Sequence, residues 1–297
     1  MRQNLVKQAE NILQQRKLNA EHAFNALMQP VYSDKDFEKL EKEKTKLTIE
    51  NAKLEADGQK PDRKKLREIE NKIEKIKEKY GLKDEKIAYG CKICHDNGYI
   101  DGQMCKCLKK EISKILLEES GFTNLETFES AIKTCEPEQT MTYEKMERWC
   151  TKDSKYNLIY LYGNVGSGKT FLTKCMANKF IEDGKVIKLV TAFNMNQDFK
   201  EFKKTMNEDL LNKYLSPEVL FVDDLGTETK YKDVTIEYLY LVINERKMKN
   251  LKTIITSNLH PDNLLNQYDE RICSRIFNYN SSLVFEMNSS FDQRLKK

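Results

Sequence analysis

Leu158-Ile159-Tyr160-Leu161-Tyr162-Gly163-Asn164-Val165-Gly166-Ser167-Gly168-Lys169-Thr170 is the stretch that decides the fold. Five apolar or aromatic residues bounded by a glycine read as a buried β-strand. Residues 171–181 follow with helix-forming composition. A strand running through a glycine-rich loop into a helix is the context in which Gly-x-x-x-x-Gly-Lys-Thr binds phosphate. The glycines let the backbone wrap round the anion, and the N–H groups of the loop and helix N-terminus point at it. Lys169 is then expected to reach the β- and γ-phosphates of ATP, and the Thr170 hydroxyl to ligate Mg2+. Gly163, Asn164, Val165, Gly166, Ser167, Gly168, Lys169 and Thr170 form the expected nucleotide site. The alternative, a plain glycine-rich turn, would match this pattern by chance in about one chain of this length in a hundred.

Downstream the texture alternates. Short apolar runs at 186–190, 219–222, 253–256 and 283–285 are separated by helical stretches, which signals a parallel sheet with crossover helices. The run at 219–222 leads into Asp223-Asp224. At the tip of a buried strand, Asp223 would enter the magnesium shell and Asp224 would polarise the attacking water. Taken alone, Asp-Asp is a common turn former. The run at 253–256 leads into Ser257-Asn258, and an amide there can hydrogen-bond a γ-phosphate oxygen and the attacking water, where otherwise it would serve as a turn or cap residue. Arg271 and Arg275 stand four apart, on one helix face. Such a face is ordinarily just solvated, but against a neighbouring subunit's nucleotide either arginine can stabilise transition-state charge.

The chain has 297 residues, enough for one large core and a smaller appendage. Charged residues of both signs make up 33% and net charge is only +4, which permits nucleic-acid contact without demanding it. The first ten residues hold no signal-like apolar core and no run approaches eighteen apolar residues, so a cytoplasmic protein with no membrane association is expected. In residues 1–29, three- and four-residue apolar steps fit two short amphipathic helices broken at Pro30. Beyond it, Phe37, Leu40, Leu47 and Leu54, then Leu66, Ile69, Ile73, Ile76 and Tyr80, flank a breaker stretch at 57–62. An antiparallel helical hairpin fits, with Lys44 and Asn51 as polar intrusions on its first seam; a merely solvated charged helix is the alternative.

Eight cysteines in a cytosolic chain argue against a disulfide framework. Four are tightly spaced: Cys91-Lys92-Ile93-Cys94 and Cys105-Lys106-Cys107 bracket ten residues with turn formers at Asn97-Gly98 and Asp101-Gly102. Two thiolate pairs joined by tight turns can close a tetrahedron, so Cys91, Cys94, Cys105 and Cys107 are expected to hold a structural Zn2+. His95 is the alternative ligand, and a redox dithiol the alternative chemistry. Cys135, Cys150, Cys175 and Cys273 are isolated and read as packing residues. A helix is expected over 108–119.

Together, residues 163–170, Asp223-Asp224-Leu225-Gly226, Thr256-Ser257-Asn258-Leu259 and Glu270-Arg271-x-x-Ser274-Arg275 resemble the AAA+ ATPases of the DnaC/DnaI helicase-loader and IstB group. The region of Phe128 resembles the segment leading to the adenine pocket of that group. The resemblance covers roughly residues 120–297. It implies an α/β fold with sheet order 5-1-4-3-2, a helical insertion over about 194–215, and no C-terminal helical lid, since only a dozen residues follow the last expected strand. It implies Arg275 as the arginine acting on a neighbouring subunit, with Arg271 as its companion. Asp224 stands where most AAA+ enzymes carry glutamate, which implies slow hydrolysis.

The arrangement of helical N-terminus, zinc module and ATPase also resembles DnaI-type loaders and their phage relatives. The implied organisation is a helical partner-binding region over 1–85, a zinc module with linker helix over 86–120, and an AAA+ domain over 121–297, with the boundary near Gly121. The implied function is ATP-dependent delivery of a hexameric replicative DNA helicase onto single-stranded DNA, with self-assembly through the ATPase domain. Lys200, Lys203 and Lys204 offer a possible DNA contact, or simply solubility. An IstB-like transposition helper, and an ATP-sensing adaptor with little turnover, are the alternatives.

Overall fold

A computed structural model describes residues 2–119, 125–135, 137–151 and 154–287. The expected domain boundary near Gly121 and the tail after residue 287 lie outside the described residues. The chain divides into two compact units, Ile12–Asn97 and Met1–Asn11 with Gly98–Lys297.

The smaller unit is helical. Helix α1 (Arg2–Tyr32) is one continuous helix with Pro30 inside it, where the sequence suggested two short ones. Pro30 costs one backbone hydrogen bond, but its fixed φ is helical and the helix ends two residues later. Met28 and Val31, both buried on either side of it, anchor that last turn. Helices α2 (Lys35–Ala56) and α3 (Arg63–Lys79) form the expected hairpin. Phe37, Leu47, Ile69 and Ile73 bury against Met28 and Val31, so the core takes three helices.

The polar intrusions on the hairpin seam have partners. Buried Asn51 accepts the Asp62 backbone N–H at 2.8 Å and donates to the Asp62 carbonyl at 3.3 Å, clamping the start of α3. Lys44 pairs with Glu70 across the hairpin at 3.9 Å. At the opposite end Asp34 caps α2, accepting from Asp36 and Phe37 N–H groups, and also receives the Tyr80 hydroxyl at 3.1 Å.

The larger unit opens with a two-stranded ribbon, β1 (Tyr99–Ile100) and β2 (Gln103–Met104). Its turn, Asp101-Gly102, has φ of 47° and 78°, as a two-residue hairpin of primed type requires. Helix α4 (Lys106–Glu118) follows, then α5 (Phe128–Thr134) and α6 (Pro137–Thr151). The sheet then begins with β3 (Leu158–Tyr162), leading to α7 (Lys169–Glu182), β4 (Ile187–Thr191), α8 (Ala192–Thr205), α9 (Asp209–Leu215) and β5 (Val219–Leu225). It closes with α10 (Thr235–Met248), β6 (Lys252–Ser257), α11 (Pro261–Gln267), α12 (Glu270–Ile276) and β7 (Ser282–Glu286).

All four pairings in this sheet are parallel and its order is β4-β5-β6-β3-β7. Counted from β3 as the first core strand and read from β7, that is the expected 5-1-4-3-2. One face packs on α8 to α12, the other on α5 to α7 and the end of α4. Helix α4 also covers the edge strand: Ser113 Oγ accepts the Ile187 N–H at 3.1 Å and donates to the Lys185 carbonyl at 2.9 Å. Two backbone groups at the start of that edge are thereby satisfied within the chain. The expected insertion is helical, with α8 starting at Ala192 because the Thr191 side chain caps it.

Fully buried Arg246 secures the base of the sheet. Its guanidinium donates to the carbonyls of Tyr214, Pro217 and Lys252 and to the Thr253 hydroxyl. Burial pulls its pKa down to about 9, which leaves it charged at neutral pH.

Candidate functional site

Strand β3 is fully inside the sheet, so its C-terminal end is a fixed platform, and the chain turns away from it at Gly163. There φ is +153°, and a Cβ would lie 2.0 Å from the Met287 carbonyl oxygen, so only glycine fits. Gly168, at φ +90°, is the N-cap of α7. The helix starts at Lys169, two residues before the expected stretch, so Lys169 and Thr170 form its first turn. Lys169 is buried and its ammonium donates to the carbonyls of Gly163 and Asn164, each at 2.8 Å. The cation therefore sits in the cup of the loop. From α6, buried Gln139 donates its amide N–H to the Ser167 carbonyl at 3.1 Å, bracing the loop from behind.

Asp223 and Asp224 come from a bulge. Val222 pairs with Ile255 and Leu225 with Ser257, three steps on β5 against two on β6. Asp224 takes φ +57°, an uncommon conformation that the bulge imposes. Strand β5 thus runs through the two carboxylates and does not stop before them. Asp223 is buried, with its carboxylate oxygens 3.3 and 3.5 Å from the Thr170 hydroxyl. Adjacent oxygen ligands of an octahedral Mg2+ stand about 2.9 Å apart, so this pair fits such an ion with little movement. Burial pushes the Asp223 carboxyl above its usual range and the neighbouring Asp224 adds to this, while the hydroxyls of Thr256 and Thr170 and the Lys169 ammonium pull the other way. A bound cation would offset the burial.

Thr256 holds the Asp223 carboxylate and the backbone of Asp224, a role not visible in the linear sequence. Its buried hydroxyl donates to Asp223 at 2.5 Å and accepts the Asp224 backbone N–H at 2.9 Å. Asn258 follows β6 directly and is exposed. Arg271 and Arg275 lie on one face of α12, their guanidinium carbons 5.5 and 5.7 Å from the centre of the Tyr240 ring. Exposed Arg271 donates from Nε and Nη2 to one oxygen, Oδ2, of Asp269, the cap of its own helix. Arg275 is held by Asn244 at 3.0 Å and the Tyr240 hydroxyl at 3.4 Å.

The four clustered cysteines also converge. Their sulfurs lie within 4.8 Å of one another, Cys94 and Cys105 buried, Cys91 and Cys107 half-buried. Tetrahedral Zn–S bonds of about 2.3 Å place sulfurs about 3.8 Å apart, so the residues fit a zinc centre after a small contraction. His95 is outside the group; it is exposed, with its ring centre 5.0 Å from that of Tyr89. Left-handed His95 and Asp96 (φ 51° and 60°) form the knuckle after the first pair. Asp96 accepts the N–H groups of Gly90 and Cys91 and a two-pronged contact from Arg16 of α1. Burial alone would raise its carboxyl, but these hydrogen bonds outweigh that and hold it below the usual range. Cys150, Cys175 and Cys273 are buried in the sheet's two cores, as packing residues would be, and burial pushes the Cys175 thiol up to about 12. Of the three insertion lysines, Lys200 lies 4.5 Å over the Tyr231 ring, while Lys203 and Lys204 are exposed.

A phosphate loop, an acidic strand tip and a 5-1-4-3-2 parallel sheet define a P-loop ATPase of the AAA+ class. Residues 126–281 match the model of the bacterial DnaA ATPase domain. The chain is 30% identical over 217 residues to the phage-like element PBSX protein XkdC of Bacillus subtilis, covering 64% of this chain and 79% of that one. It is 34% identical over 121 residues to the chromosomal replication initiator DnaA of Campylobacter jejuni, covering 40% of this chain but only 27% of that protein. It is also similar to the crystal structure of DnaI, at 24% identity and a TM-score of 0.44, covering 54% and 89% of the two chains. The chain belongs to the bacterial DnaA ATPase-domain family, and the AAA+ class read from its motifs stands. Among the described residues no helix is long and apolar enough to cross a membrane.

Proposed function

We propose that this protein is an ATP-dependent loader of a replicative DNA helicase. The observation that carries the ATPase part is the convergence of Lys169, Thr170 and Asp223 at one end of the sheet. In this reading Lys169 binds the β- and γ-phosphates, and Thr170 with Asp223 holds Mg2+, which neutralises charge on the transferring phosphoryl group. Asp224 orients the attacking water and Asn258 assists it. Arg275, with Arg271 beside it, serves the nucleotide of the next subunit, so turnover is slow in a monomer and rises on assembly.

The helical region over 1–85 and the zinc module over 86–120 grip a hexameric helicase in the cytoplasm, while the AAA+ domain over 121–297 engages single-stranded DNA. Support comes from the family, from the motif resemblance, and from a helical unit with its own core. Exposed Lys203 and Lys204 suit contact with a phosphate backbone. The test is co-elution with a hexameric replicative helicase, followed by ATP-dependent delivery of that helicase to circular single-stranded DNA. The full chain is expected to do both, and a chain lacking residues 1–110 neither. Binding that survives this truncation would overturn the assignment of the N-terminal region.

A further inference from the structure

The turn behind the acidic pair is tied to the helix that carries the two arginines. Gly226, at φ +100°, follows the bulge, and a Cβ there would lie 2.5 Å from Leu259 Cδ1. Its N–H donates to Glu228 Oε2 at 2.9 Å, while Glu228 Oε1 accepts the Tyr268 hydroxyl. Glu228 and Tyr268 are both buried. Tyr268 immediately precedes Asp269, the N-cap of α12, whose carboxylate also pairs with Arg271. Lys230 repeats the link: its ammonium donates to the Gln267 carbonyl and lies 4.7 Å over the Tyr268 ring. Two residues of one loop thus grip the joint between α11 and α12. A buried carboxylate that accepts one bond from each side is a rigid strut, because neither oxygen can turn to water without stranding its donor.

We infer that Glu228 is a positioning residue that fixes the arginine-bearing helix α12 to the acidic turn of the same subunit's nucleotide site. This deepens the reading above and rests on it in one respect, that α12 serves a neighbouring site. The strut sets where Arg271 and Arg275 stand relative to Asp223 and Asp224, so that one subunit's acidic turn and the arginines it offers its neighbour move as one body. Tyr268→Phe cuts the hydroxyl link and loosens α12, held then from this loop only by Lys230, but leaves the bond to Gly226, so its effect falls on the arginine donor. Glu228→Leu removes both bonds. Glu228→Gln keeps both, since its amide oxygen can accept from Gly226 and its NH2 can donate to the Tyr268 oxygen.

The test mixes two inactive full-length chains, Lys169→Ala, which supplies arginines, and Arg275→Ala, which supplies the nucleotide site. The mixture is expected to recover ATP turnover. Tyr268→Phe placed in the Lys169→Ala chain should lower that recovery about tenfold, and in the Arg275→Ala chain less than twofold. Glu228→Leu should lower it in either chain, with Glu228→Gln within about threefold of the unaltered mixture. An equal effect of Tyr268→Phe in both placements, or none, would overturn the proposal.

Amide hydrogen exchange of the intact Tyr268→Phe protein provides a readout independent of turnover. Exchange over residues 269–276 should rise about tenfold while residues 219–225 stay unchanged. If the unaltered mixture recovers nothing, the inter-subunit reading fails, and the exchange data alone uphold or refute the strut.

Discussion

Replacing Thr256 by valine isolates a single hydroxyl while keeping the shape of the side chain. In the wild type that hydroxyl donates to Asp223 and accepts from the Asp224 N–H, and the residue is 1% exposed, so water cannot take its place. A hydrogen bond to a charged acceptor contributes about 1.5–3 kcal/mol, and stranding a buried N–H costs about 1–3 kcal/mol. Because both bonds share one hydroxyl and the bulge can relax, Thr256→Val should cost about 3 kcal/mol in all. For a domain of this size that lowers the unfolding midpoint by about 6–12 °C, read by thermal or urea unfolding without nucleotide. The Asp223 carboxyl also loses a hydrogen bond that pulls its pKa down, so the Mg2+ concentration for half-maximal turnover should rise. Thr256→Ser, which keeps the hydroxyl, should restore both. If Thr256→Val unfolds within about 0.5 kcal/mol of the wild type, below the range for a lost buried hydrogen bond, and shows the same Mg2+ dependence, the role given to this hydroxyl is wrong.

Asp223 tests the opposition between function and stability. Its folded pKa lies above its unfolded value, so the nucleotide-free fold binds the proton more tightly; stability falls as pH rises from the unfolded value of 3.8 through the folded one and stays lower above it. Asp223→Asn should therefore raise the melting temperature at pH 7 without ligand while cutting Mg2+-dependent turnover by on the order of a hundredfold or more; a less stable variant would contradict the burial argument. Arg246→Met strands three carbonyl oxygens and a hydroxyl and should cost at least about 3 kcal/mol, measured by urea unfolding, with a loss under about 1 kcal/mol counting against its role at the sheet base. Purified protein should carry about one Zn2+ per chain by elemental analysis, and Cys94→Ser should lose most of it; a variant retaining the full equivalent would remove Cys94 from the ligand set.

Features built from neighbours along the chain were legible before any coordinates. The phosphate loop is eight consecutive residues, the cysteine pairs lie within seventeen, and the five strands announce themselves by apolar runs. From these, with the motif resemblance, came the ATPase class, the sheet order and the hairpin. What the linear order could not show are contacts made across the sheet or between its layers. Thr256 meets Asp223 only because β5 and β6 pair in one register, and Gln139 reaches Ser167 from another helix. The link from Glu228 to Tyr268 spans forty residues. Local rules also failed where packing overrode them. Pro30 sits inside α1 because Met28 and Val31 bury beside it, and Asp224 holds a positive φ because the bulge accommodates one extra residue. Local chemistry was enough to read residues 163–170 as a phosphate loop. Which groups brace it, which hydroxyl holds the Asp223 carboxylate and which carboxylate ties the acidic turn to the arginine-bearing helix depend on long-range pairing, which only the folded chain supplies.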